Sequence, residues 1–66
     1  MTKAQKFLAA LKIITKYEPG AEYGIDGETF WFGTARPEKM TKEEKDTLAE
    51  YGWVYDPDLD IWTTLV

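Results

Sequence analysis

The sequence predicts a single two-layer α+β domain in the order α-β-β-α-β-β, with a mostly antiparallel four-stranded sheet and two helices on one face. Three observations carry this. An amphipathic stretch with helical spacing opens the chain, an Asp-Gly pair separates two alternating apolar runs, and a second helix followed by a second pair of strands repeats that order. At 66 residues there is length for one domain, 1–66, and no more.

Thr2-Lys3-Ala4-Gln5 has the form of a capping box, Thr2 as N-cap and Gln5 reaching back. Ala4, Phe7, Leu8, Leu11 and Ile14 follow at three- and four-residue steps, which predicts an amphipathic helix with Ile13 off its apolar stripe. Pro19-Gly20 ends it. Asp26-Gly27, set between Ala21–Ile25 and Glu28–Phe32, predicts a two-residue type I′ hairpin. That loop pairs Ile25 with Glu28, Tyr23 with Phe30 and Ala21 with Phe32. Tyr23, Ile25, Phe30 and Phe32 then share one face, and Glu22, Gly24, Thr29 and Trp31 the other.

Residues 33–40 read as a linker containing Arg36-Pro37. Thr41-Lys42-Glu43-Glu44 is a second capping box, its acids placed in the first turn as the helix dipole favours. The second helix runs to about Tyr51, and Gly52 fits the C′ position of a Schellman ending that sets Trp53 against Leu48. Trp53–Tyr55 and residues 61–66 form a second hairpin across Asp56–Asp60.

Composition removes whole classes of chemistry. With no Cys and no His there is no disulfide, no thiolate and no ordinary zinc site. Ser is also absent, so the usual nucleophile–base pairs cannot be assembled. Neither Gly-rich phosphate fingerprint is present. Asp56-Pro57-Asp58-Leu59-Asp60 opens like a calcium loop, but Ile61 stands where that loop needs Gly. It reads as a polar turn. A two-layer fold of this size also lacks the cleft that would raise a carboxyl pKa for glycoside cleavage. The expectation is a non-enzyme with no cofactor and no metal.

The net charge is −4 and the pI about 4.6, the opposite balance from a general polyanion binder. Charge is also segregated: residues 1–17 carry +4 and the remainder −8. Lys12 interrupts the only apolar run near the start, and nothing approaches the 18 apolar residues of a membrane span. A soluble, cytoplasmic protein is expected.

Ten aromatic residues would ordinarily be core. Trp31, between Phe30 and Phe32, must face away from the helices if its neighbours face them. The strand from Ile61 to Val66 is apolar on both sides, so one of its two apolar pairs joins Trp31. The candidate partner-binding residues are therefore Trp31, Thr29 and Glu22 from the first hairpin and Trp62, Thr64 and Val66 from the second.

Leu48-Ala49-Glu50-Tyr51-Gly52-Trp53-Val54-Tyr55-Asp56, closed by Asp60-Ile61-Trp62, resembles the ending of small acidic proteins encoded by bacteriophages and prophages, where a helix ending in Gly-Trp leads into an aromatic, acidic hairpin. The resemblance covers about the last twenty residues. It implies a phage accessory role, such as inhibition of a host enzyme or defence system, in the host cytoplasm. It carries over no catalytic residue. The expected function is a non-enzymatic module that binds a host protein, or a second copy of itself as a homodimer, through the aromatic sheet face. Three alternatives stay open. One is an acidic nucleic-acid mimic using Glu22, Glu28, Glu43, Glu44, Asp46, Glu50 and the Asp56–Asp60 turn. The others are an oligomerisation module and a weak nucleotide- or oligonucleotide-binding module. Nucleic acid and membrane are not the expected partners.

Overall fold

In the computed structural model, which describes residues 1–65, both helices begin at the capping boxes. Helix α1 spans Lys3–Tyr17. Thr2 Oγ1 accepts from the Gln5 amide at 3.1 Å, and Gln5 Oε1 accepts from the Thr2 amide at 2.7 Å. Helix α2 spans Lys42–Glu50, where Thr41 and Glu44 exchange the same two bonds at 3.1 and 2.9 Å. Each box satisfies two of the donors that a helix N-terminus leaves free. At the other end of α2 the Gly52 amide donates to the Ala49 carbonyl at 3.1 Å and the Trp53 amide to the Leu48 carbonyl at 2.9 Å. Gly52 has φ +86°. This is the full Schellman pair, and it seats Trp53 beside the fully buried Leu48.

The strands are β1 (Tyr23–Asp26), β2 (Thr29–Phe32), β3 (Val54–Asp56) and β4 (Ile61–Leu65), in the spatial order β1-β2-β4-β3 with every pair antiparallel. The predicted α+β architecture is therefore present, and the two hairpins join through β2 and β4. The first turn differs from expectation. Asp26 pairs with Thr29, so the loop is Gly27-Glu28, and of these two only Gly27 has a positive φ (63°). A type I′ turn needs positive φ at both loop positions, whereas a type II′ turn needs it only at the first. Tyr23 consequently opposes Phe32 and Ile25 opposes Phe30. The slip from the predicted pairing is two residues, which is the side-chain period, so the face of every residue is unchanged.

The core comprises Ala10, Ile14, Phe32, Ala35, Met40, Leu48, Trp53 and Trp62. Phe30 links its aromatic part, with ring centroids 5.2 Å from Phe7 and 6.2 Å from Trp53. Two expectations about packing are corrected. Helix α1 buries Ala10 and Ile14 and packs Phe7, Leu11, Ile13 and Tyr17 partly, while Ala4 and Leu8 stay exposed. The covered arc reaches Ile13 and Tyr17 because α1 has two neighbours, the sheet and α2. Residues 33–40 are more than a linker: a short 3₁₀ turn, Pro37–Lys39, lies between the buried Ala35 and Met40.

The two helices are joined at Glu44. Its carboxylate accepts from the Tyr17 hydroxyl and the Thr41 amide on Oε1, and pairs with Lys16 Nζ at 3.0 Å on Oε2. The Tyr17 hydrogen bond, then the Thr41 amide, then Lys16 hold its pKa at about 2, down from 4.5. The same contacts raise the pKa of Tyr17 and of Lys16 above their ordinary values.

Two outcomes are expected. Leu48→Ala should cost about 2–4 kcal/mol in chemical denaturation, since it empties a fully buried site under the Schellman turn. Glu44→Gln should keep the capping geometry and lose the charge. A depressed carboxylate contributes stability above its unfolded pKa and loses it as pH falls through the folded value. The variant should melt below the parent at pH 7, and the gap should close between about pH 4.5 and about pH 2, followed by circular dichroism melts.

Candidate functional site

Helices α1 and α2 cover one face of the sheet, and none of the described residues forms an element over the other. Alternation from the observed pairing defines that outer face. One row runs across all four strands as Gly24, Trp31, Thr63 and Val54, each directly opposite the next. A second runs Asp26, Thr29, Leu65, and a third pairs Ile61 with Asp56. Val54 and Leu65 are 64% and 73% exposed. Thr29, Trp31, Ile61 and Thr63 are half-buried, which for side chains on an uncovered face means that they shield one another.

Trp31 is held flat. A Cβ built on Gly24 would lie 2.6 Å from the indole Cε2, Cζ2 and Nε1, so the ring rests on the Gly24 backbone of the neighbouring strand. A bulky aromatic laid over a cross-strand glycine restores apolar cover that the glycine cannot supply.

The expected site residues divide. Thr29, Trp31 and the exposed Glu22 belong to the outer face and its margin, as the sequence suggested. Trp62 does not. It lies on the helix side, 4% exposed, its indole N–H donating to the Ala35 carbonyl at 2.7 Å and its ring 5.3 Å from Tyr55. Thr64 shares that side, and its hydroxyl donates to the Gly52 carbonyl at 2.9 Å. Val66 lies outside the described residues. The correction follows from size: burying Trp62 removes far more apolar surface from water than burying Ile61 would. Of the two apolar pairs the sequence offered, it is Ile61 and Leu65 that take the outer face once Trp62 is inside; the residues not singled out are Thr63 between them and Val54 opposite it.

The carboxylates of the second turn act within it. Asp56 Oδ1 accepts from the amides of Asp58 and Leu59 at 2.9 and 3.3 Å, and Asp60 Oδ1 accepts from the Tyr55 hydroxyl at 2.7 Å. The last contact raises the Tyr55 pKa. The Lys16–Tyr17–Glu44 group is the other place where titration is shifted, and there each polar group has an internal partner. With a pKa near 2, Glu44 is ionised at neutral pH and has no proton to donate. No group of three or more acidic side chains among the described residues is placed to hold a metal ion. No helix among them is long and apolar enough to cross a membrane.

Gly24→Ala should unseat the Trp31 indole, lowering stability by about 1–3 kcal/mol and shifting its fluorescence to the red. In a Trp31→Ala background the same change should cost nothing. A cost that survives in that background would mean that the ring does not rest on Gly24.

Comparison with protein-family models, curated proteins and solved structures finds no match to this chain.

Proposed function

We propose that this chain is a non-enzymatic protein-binding module whose outer sheet face docks on a partner protein. The observation that carries the reading is the row Gly24–Trp31–Thr63–Val54 with Leu65 beside it: a largely apolar strip, covered by no element among the described residues, around an indole seated on Gly24. Contiguous exposed apolar surface marks interaction sites, and tryptophan is the residue most enriched at their energetic centres. Asp26 stands on the same face and Glu22 at its margin, so the partner that fits presents an apolar centre with a basic rim at that end. The phage-like ending of the sequence supports a host protein as that partner, with inhibition or modulation as the outcome, in the host cytoplasm.

The nucleic-acid-mimic reading has less support. Of the acids it would use, Asp56, Asp60 and Glu44 accept internal hydrogen bonds, and the acids of the two hairpin turns lie at opposite ends of the sheet.

The test pairs Val54→Glu with Leu65→Glu. Both side chains are exposed, so stability should change by about 0.5 kcal/mol or less per site. A partner captured from bacterial lysate by the parent chain should bind the double variant at least tenfold more weakly. Its binding to the parent should weaken only modestly with salt, through the charged rim, while the apolar centre keeps most of the affinity. Undiminished binding by the double variant would overturn the reading, and steep salt dependence would favour mimicry.

A further inference from the structure

The two edges of the sheet are not alike. Strand β3 is three residues long and runs directly into Pro57 and the Asp56 turn, features that blunt an edge. Strand β1 has four residues, no proline and no lysine. Its free groups can be read from the ladder. The Gly33 amide donates to the Glu22 carbonyl at 2.8 Å, so residues 22, 24 and 26 turn their backbone groups toward β2. The N–H and C=O of Tyr23 and Ile25 therefore point to the open side. Their side chains lie on the helix side of the sheet yet are 70% and 67% exposed, because the helical layer stops short of β1. Leu8, 58% exposed, sits on the flank of α1 opposite the one that meets α2 through Ile13 and Lys16.

We infer that β1 pairs with β1 of a second copy about a two-fold axis, making one eight-stranded antiparallel sheet. The register is fixed by three conditions. Directly opposed residues must share a face, so the pairing must place residues of equal parity opposite one another. Centring the axis on Gly24 sets Tyr23 opposite Ile25 of the second copy, twice, for four main-chain hydrogen bonds. Centring it on Tyr23 or Ile25 brings in Ala21, whose amide already donates to Glu18, or the Gly27 turn. The Gly24-centred register also suits the helical layer. With Phe7 of α1 packed on Phe30 of β2 at 5.2 Å, the two copies of α1 would be separated by about three strand spacings, roughly 14 Å, against about 10 Å for helices in direct contact. The remaining trough is one side chain wide, and Leu8, Tyr23 and Ile25 line it from both copies.

Two quantities make the pair weak. Tyr23, Ile25, Leu8 and the edge backbone offer on the order of 500 Å² per chain, below the roughly 800 Å² per partner of a standard interface. Glu22 faces Asp26 of the other copy on the solvent side, twice, and each chain carries −4. The dimer therefore tightens as salt screens these charges.

Sedimentation equilibrium from about 10 μM to about 1 mM should show mass doubling, with dissociation weakening several-fold between about 0.02 M and about 0.5 M NaCl. Hydrogen exchange should slow at the Tyr23 and Ile25 amides as concentration rises. Ile25→Lys, an edge-guarding change at an exposed site, should leave the melting temperature nearly unchanged and keep the chain monomeric throughout. The outer-face variant Leu65→Glu should dimerise like the parent, which separates this inference from the docking reading. A chain that stays monomeric at 1 mM and high salt, or a dimer that survives Ile25→Lys, overturns the proposal. So does a dimer lost on Leu65→Glu.

Discussion

The burial of Trp62 fixes what the rest of the sheet can do. A tryptophan placed inside must find an acceptor for its indole N–H, and the Ala35 carbonyl supplies one at 2.7 Å within the core. That bond draws residues 33–40 against the sheet, which is why a stretch with the composition of a linker contributes Ala35 and Met40 to the core. It also sets the parity of β4. With Trp62 and Thr64 inside, Ile61, Thr63 and Leu65 must point out, opposite β2 residues Trp31 and Thr29 and β3 residue Val54. The outer face owes its apolar character to this alternation in a strand that carries large apolar groups on both sides.

A domain of this size has no disulfide or histidine-bound metal to stabilise it, and α2 can bury only Leu48. Its surface pair Lys42–Asp46, at 3.6 Å and largely exposed, adds little. The helix is instead held at its two ends, by the capping box and by the Schellman turn. Glu44 does double work at the first of these, since the carboxylate that closes the box also receives Tyr17 and Lys16 from α1. One ionised group thereby couples the start of α2 to the end of α1. Three further acids have internal employment of this kind: Glu18 accepts from Thr34, and Asp56 and Asp60 shape the second turn.

Local signals were legible in the sequence wherever a short motif dictates backbone geometry. Thr2-Gln5, Thr41-Glu44 and Gly52-Trp53 each became the predicted cap, because these bonds form within a few residues and need no tertiary help. The hairpin was half legible. Gly27 does take the positive φ, but as the first loop residue, and the resulting two-residue slip preserved the faces while hiding the contact of Trp31 with Gly24. On the predicted register Trp31 would have opposed Glu22. The side chosen by β4 was not legible from alternation, since Ile61/Leu65 and Trp62/Val66 are both apolar pairs; the larger surface of Trp62 favours burying it, and the Ala35 carbonyl, a tertiary acceptor for the indole N–H, makes that burial possible.

Gly24 ties the outer face to the β1 edge. Its missing Cβ gives the Trp31 ring a flat bed, and its backbone, turned toward β2, leaves the open edge to Tyr23 and Ile25. In the two-fold pairing centred on Gly24, the two glycines stand opposite one another as a non-hydrogen-bonded pair, the closest approach that an antiparallel ladder allows. Each carries the indole of its own chain on the outer side. The two Trp31 rings would then flank the axis, and the two apolar rows would run into a single strip along an eight-stranded sheet. A partner with a repeated or two-fold surface would meet both copies at once, so edge pairing that is weak alone would gain from the effective concentration that such binding creates. Edge and face are coupled through one residue whose contribution is the absence of a side chain.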